Sequence, residues 1–356
     1  MINALVRRGD LTVWLTEEAV TAWRSPRRTG RGGQRIYSDL AIETGLALRL
    51  VLRLALRQTE GALRSIAGLL GAVIKAPDHT TFSRRSAHLT LLPQTVKRDE
   101  PIHLLIDSTG LKIYGEGEWL DQKHGVRARR RWRKLHIAVD ADTHEVRACE
   151  LTPDDVGDVT AVPDLLDQVK DPVAAVIADG AYDGQPVYDA VAANHPGAAI
   201  VIPPRSTAVA GQNENPTQRD RHLEAIAKHG RRGWQQRSGY GRRSLVETAM
   251  FRYKTIIGRR LHARTLSNQQ TEAKIACNVL NRMTGLVVQG ALQATWLADF
   301  ARTCRGDAPI THFEFRARSA VFQGRALTLS AFVTPDGLDL ALRDSSDAIC
   351  MVGRAR

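Results

Sequence analysis

The 356-residue chain is long enough for two domains, and 43% hydrophobic residues are enough for a real core. Fifty lysines and arginines face 38 acids, and the net charge of +12 suits a polyanionic partner, nucleic acid first. Cys149, Cys277, Cys304 and Cys350 are too scattered for Cys-x-x-Cys metal pairs or a secreted disulfide framework, and MINALVRRGDLTVW has no signal core, so a reducing cytoplasm fits.

Residues 1–95 read as mostly helical. Asp39 to Leu56 carries Leu and Ala at helical spacing, and its apolar run is broken by Arg49 and Arg53, too short to cross a bilayer. Arg57 to Leu70 continues as a second helix. After a break at Gly71 to Pro77, Asp78 to Thr81 offers caps for the basic helix FSRRSAHL. The order resembles a helix-turn-helix whose last helix enters a major groove; a plain helical bundle remains open.

From Pro101 the pattern turns to strands: His103 to Ile106, Leu135 to Val139 and Val146 to Leu151. Helix Asp158 to Val169, strand Val173 to Ala178, helix Gln185 to Asn194 and strand Ala199 to Ile202 follow. Three strands, then strand and helix in alternation, predict an α/β fold with a mixed sheet and flanking helices. Arg205 to Gly241 reads as a long polar connection with one short helix, His222 to Lys228. Residues 240–254 read as one helix. The tail, 290–356, reads as a helix and then strands; it has no lysine and eight arginines against seven acids, so the basic excess lies upstream.

Two aspartates follow apolar runs: Asp107 in HLLIDSTG and Asp179 in VAAVIADGAYD. Glu247 lies on a later basic helix, in Tyr240-x-x-Arg243-x-x-x-Glu247-x-x-x-x-x-x-Lys254. Strands lift both aspartates to the sheet's carboxyl edge, and helical spacing places Arg243, Glu247 and Lys254 on one face. Three acids from separate segments are what a two-metal phosphodiester site requires. Oxygen-only donors suit two Mg2+ ions, with Mn2+ as a substitute. The bland alternatives are turn or capping aspartates and a solvated charge stripe. Asp140 and Asp142 read as hairpin-turn residues and Asp183 as a helix cap, while Asp155 or Asp158 is left as a possible support for the site.

Arg127-Ala-Arg129-Arg130-Arg131-Trp132-Arg133-Lys134 holds six basic residues in eight. It reads as a patch tracking a nucleic-acid backbone, with Trp132 placed to stack on a base, or as a charge-protected edge strand. The chain has no Gly-x-x-x-x-Gly-Lys box and its histidines no zinc-protease spacing.

The Tyr-Arg-Glu-Lys spacing, IDSTG, ADGAYD and the run WRKLHIAVDADTHEV together resemble bacterial insertion-sequence transposases of the DDE type, the IS-four/IS-five kind, from about Leu11 to Leu286. The resemblance implies a ribonuclease-H-like catalytic domain over 96–288. It also implies a DNA-end-binding helical domain over 1–95 and a cytoplasmic, nucleoid-associated enzyme working as a homodimer on element ends and target DNA. It makes Asp107, Asp179 and Glu247 the metal-binding acids and sets Tyr240, Arg243 and Lys254 against the DNA end. The tail, 289–356, is similar instead to the end of a MaoC-like hot-dog dehydratase, through GALQATWLADFAR, HFEFRARSAVF and LALRDSSDAICM. That implies a foreign, β-rich fusion that packs weakly, exposes apolar edges and adds nothing to the site. A domesticated, inactive DNA-binding remnant is the alternative. A thioester-hydrating enzyme fails because the tail is too short for a complete hot-dog domain and offers no acid–histidine pair.

Overall fold

The computed structural model describes residues 16–27, 33–113, 132–209, 211, 216–288, 290–305, 310–318, 321–322, 327–344, 347 and 349–356. They form two compact units, 1–280 and 281–356.

The first unit begins with helices α1 (Glu17–Ala22), α2 (Asp39–Val51), α3 (Leu56–Leu69) and α4 (His79–Ser86). Each start has a local cause. Ser38 accepts from Ala41 N at 3.1 Å, Gln58 reaches back to Ala55 N at 2.9 Å, and Asp78 caps Thr80 and Thr81. Residues 70–78 separate α3 from α4, a longer link than the tight turn of about 3–4 residues in a helix-turn-helix. Arg85 of α4 is drawn inward, donating to Tyr37 O and pairing with Asp39.

A six-stranded mixed sheet follows. β1 (Ile102–Ile113), β2 (Trp132–Asp140) and β3 (Val146–Pro153) form an antiparallel meander. A 3₁₀ turn (Asp158–Ala161) and α5 (Val162–Leu166) lead to β4 (Val173–Ile177), which pairs parallel with β1. After α6 (Gln185–Asn194), β5 (Ala199–Val201) pairs parallel with β4. The order is β3-β2-β1-β4-β5. Strand period places Leu104 and Ile106 on one face, where Val162, Leu165 and Leu166 of α5 and Val187, Tyr188 and Val191 of α6 complete a core. Asp107 falls on the opposite face.

The expected polar connection contains α7 (Gln218–Arg237), interrupted at Gly230, where φ is 71°. Thr217 and Asp220 form its capping box, each satisfying the other's backbone N–H. Asp183 is not the cap of α6. It is buried and takes both ends of the Arg219 fork, at 2.7 and 2.9 Å, which fastens α7 to the link between β4 and α6. Burial pushes the Asp183 carboxyl up, but Arg219 and the Arg205 N–H outweigh it and hold it below the usual range.

The segment expected as one helix is three pieces: a 3₁₀ turn (Tyr240–Arg243), α8 (Ser244–Arg252) and a π turn (Tyr253–Ile257). The uniform face predicted for Arg243, Glu247 and Lys254 therefore breaks down beyond Glu247. β6 (Arg260–Leu261) then extends the sheet beside β1, and α9 (Leu266–Leu286) follows.

The second unit comprises β7 (Val287–Val288), α10 (Gly290–Arg305), β8 (Phe313–Ala317), β9 (Val321–Phe322), β10 (Leu327–Thr334), β11 (Gly337–Asp344) and β12 (Ile349–Ala355). Its antiparallel sheet runs β10-β11-β12-β8. Leu297 and Ala301 of α10 share a core with Leu338, Leu340, Leu342, Cys350, Met351 and Ala355. The expectation of weak packing is corrected here: one helix laid on four strands buries their inward residues. The expected exposed apolar side chains are present as Phe315, Phe332 and Val333.

Candidate active site

β1 and β4 run side by side, with Leu105 opposite Ile177. Two residues further along, each segment carries its aspartate. β4 ends at Ile177, whereas β1 continues to Ile113, so Asp107 lies within its strand rather than at its end. The notch left where β4 stops admits other groups to Asp107. Asp179 caps the 3₁₀ turn Gly180–Tyr182, accepting from Ala181 N at 2.9 Å.

One guanidinium joins the three acids. Arg243 Nη2 lies 3.0 Å from Asp107 Oδ2 and 3.6 Å from Asp179 Oδ2, and Nη1 pairs with Glu247 one helical turn on. Exposure rises from 13% at the Asp107 side chain through 35% at Asp179 to 59% at Glu247, so the cluster is a cleft with an inner and an outer end. Burial pushes the Asp107 carboxyl above its usual range, against the Ser108 N–H and Arg243, with Asp179 and Glu247 adding repulsion. Arg243 is itself pushed up, because the surrounding acids outweigh its burial. Its Nε is buried without a hydrogen-bond partner.

Tyr240 sits beside this cluster. Its ring lies 5.5 Å from that of Trp234, tilted by 39°. Trp234 is buried; its Nε1 donates to His222 Nδ1 at 3.0 Å, and His222 Nε2 lies 2.6 Å from Ile200 O of β5. That geometry puts the imidazole proton on Nε2. Gly239, at φ 70°, makes the left-handed turn that brings Tyr240 back under α7. Burial raises the Tyr240 phenol, with Asp179 and Asp107 adding to it against Arg243.

Behind Asp107, Ser108 donates to Asp158 Oδ1 at 2.9 Å. Lys134 Nζ and the buried His136 Nδ1 lie 3.5 and 3.8 Å from the same oxygen. Asp158 thus braces the residue next to Asp107 and forms no ion pair with Arg243 among the described residues. The Tyr182 phenol is buried beside this group and pushed up, first by burial and then by Asp158 and Asp107.

The other expected site residues are placed differently. Lys254 lies in the π turn, and no described ion pair links it to the three acids. Arg129, Arg130 and Arg131 lie outside the described residues. Arg133 Nε donates to Gln269 at 3.0 Å, Lys134 Nζ donates to Val156 O at 2.9 Å, and Trp132 lies under Lys112, whose Nζ is 5.6 Å from the ring centre. These three are engaged within the fold. Asp140 and Asp142 do border the β2–β3 turn. Asp140 is also fully buried against Arg98 and Arg147, and Asp142 pairs with Arg242. Sequence reasoning missed His222, Trp234 and Arg219; a tryptophan in an otherwise polar stretch was the available signal for α7.

Three carboxylates offer only hard oxygen donors, which suits a divalent cation of the magnesium type. Among the described residues, no three acid, histidine or cysteine side chains close up enough to hold an ion unaided; the Arg243 fork stands among the acids. The unpartnered Nε shows that this fork is not locked in place on every side.

The comparisons agree with this donor set. A family model described as a transposase DDE domain matches residues 98–282, just over half of the chain and all three acids. The chain belongs to the DDE transposase family. A second model of the same description matches residues 6–116. The chain is also similar to a solved piggyBac transposase synaptic complex with hairpin DNA, at 14% identity over 80% of this chain and 76% of that one, with a TM-score of 0.36. A simian T-cell lymphotropic virus intasome in complex with the PP2A regulatory subunit B56 gamma matches at 11% identity over 88% and 98%, with a TM-score of 0.25. Both structural likenesses are loose; the family assignment rests on the family models. As a DDE transposase the chain is a metal-dependent enzyme of DNA cleavage and strand transfer. Among the described residues no helix is long and apolar enough to cross a membrane.

Proposed function

We propose that this transposase cuts the ends of an insertion sequence of the IS-four/IS-five kind and joins the freed 3′-hydroxyls to target DNA, with Asp107, Asp179 and Glu247 holding two Mg2+ ions. The observation that carries the reading is the gathering of these three acids, from β1, the end of β4 and α8, on one guanidinium. Bound ions would activate the attacking oxygen and stabilise the leaving one. Arg243 has the planar fork to clamp a phosphate once its acids take other partners, and Tyr240, packed on Trp234, borders the same cleft. Lys254 serves as a more distant point charge. The meander followed by parallel strands supports a ribonuclease-H-like core within 96–288. Residues 1–95 are the candidate end-binding part, Arg129 to Lys134 a candidate backbone contact, and a homodimer on DNA, in the nucleoid, completes the reading.

The tail's helix lying on an antiparallel sheet supports its likeness to a MaoC-like dehydratase and a fusion origin. That foreign tail is the one feature favouring a decayed, DNA-binding remnant. Incubation with duplexes carrying the element's ends decides between them. The enzyme reading expects Mg2+-dependent strand breaks with free 3′-hydroxyls, abolished by EDTA. Binding without breaks in Mg2+ or Mn2+ would establish the remnant.

A further inference from the structure

From Ala225 to Val246 the chain has no acid, but it has Lys228, Arg231, Arg232, Arg237, Arg242 and Arg243. Two of these are committed nearby: Arg231 donates to Pro204 O at 2.8 Å, and Arg242 pairs with Asp142 at 2.9 Å. Arg243 holds the acids. Lys228, Arg232 and Arg237 are exposed and pair with no acid among the described residues. A solvated helix face ordinarily mixes both signs, as i,i+4 pairing favours; an all-cationic run pays in self-repulsion unless a polyanion covers it.

The run is also held firmly. Trp234 is buried with its N–H on His222, and Arg219 fixes the start of α7 to Asp183. The anchored helix leads through Gly239 directly into Tyr240 and Arg243. Cations on a helix anchored on both sides of Gly230, by Arg219 before it and Trp234 after it, have a place beside the phosphodiester-cutting cleft against which a DNA backbone can be set.

We propose that Lys228, Arg232 and Arg237 of α7 form a phosphate-tracking surface that holds duplex DNA, independently of its sequence, next to the catalytic cleft. The proposal rests on the transposase reading of that cleft and assigns a contact surface outside the residues named for it. The partner class follows from charge complementarity: three exposed cations with no acid partner among the described residues suit the phosphates of a duplex, whatever its sequence.

Binding of the full-length protein to a random-sequence 30-base-pair duplex in EDTA, followed by anisotropy across a salt series, tests this without any cleavage. K228Q/R232Q/R237Q should bind more weakly, with the slope of log K against log salt reduced by about 2.7, at about 0.9 for each lost contact. R302Q/R316Q/R318Q, which removes three exposed arginines from the second unit, should leave the slope unchanged. Equal slopes for wild type and the α7 variant would overturn the proposal. So would an equal loss in the control, which would make the effect one of overall charge. A wild type that does not bind this duplex would overturn the proposal too, whereas the transposase reading fails separately, if element-end duplexes are neither bound nor cut in Mg2+. Thermal melting of both variants like wild type confirms that the fold is intact, as exposed substitutions predict.

Discussion

Replacing Arg243 with Gln removes the one positive charge that, among the described residues, pairs with all three acids. The Asp107 bond, at 3.0 Å between side chains 13% and 22% exposed, is a charge-assisted contact of about 1.5–3 kcal/mol. The Glu247 pair adds only a few tenths of a kcal/mol, because Glu247 is 59% exposed. A net loss of about 2 kcal/mol corresponds to a fall in melting temperature of about 4–8 °C for a domain this size. The variant should therefore melt lower than wild type in EDTA. Mg2+ should reverse the order of response. With the guanidinium gone, ions no longer compete with it for carboxylate oxygens, and a hundredfold excess over Kd is worth about 2.7 kcal/mol, or roughly 5–10 °C. Differential scanning fluorimetry with and without Mg2+ reads both effects. Identical melting of R243Q and wild type in EDTA, or an Mg2+ response smaller in R243Q than in wild type, would refute the reasoning.

Other outcomes are expected from the same geometry. Trp234→Ala should cost about 3–5 kcal/mol in urea unfolding, and Trp234→Phe, which keeps the ring against Tyr240 but loses the bond to His222, should cost clearly less. His136 is held below its ordinary value, first by burial and with Lys134 opposing Asp158, so its native form resists protonation. Stability from this group is complete above the unfolded value of 6.5 and is lost as pH falls through the lower native value; His136→Gln should flatten that part of the melting profile. Ending the chain after Gln289 should leave cleavage unchanged, since the tail builds its own core. In the full chain, Val333→Lys on the exposed β10 should reduce aggregation measured by light scattering.

The sequence made the sheet and two of the acids legible because their signals are local. HLLI and VAAVIA are apolar runs of strand length, and each delivers its aspartate next to a neighbour by parallel pairing. α7 was hidden because Leu223, Ile226 and Trp234 make a thin apolar stripe and Gly230 interrupts it; the Thr217–Asp220 box was the overlooked start signal. Division of 240–257 into 3₁₀, α and π turns has no sequence signature, since it answers to Tyr240 packing on Trp234 and to the buried Tyr253. The role of Asp183 was misread because its partner, Arg219, lies 36 residues away and is met only in three dimensions. The tail looked incomplete when its strands were judged without α10, whose Leu297 and Ala301 close the core.

The central claim is that Asp107, Asp179 and Glu247 act together on the scissile phosphate. Its most direct test is cleavage of element-end duplexes by Asp107→Asn, Asp179→Asn and Glu247→Gln, with end binding measured in parallel. Each variant should lose strand cleavage in Mg2+ while retaining most of its binding. Full cleavage by Glu247→Gln would contradict the account.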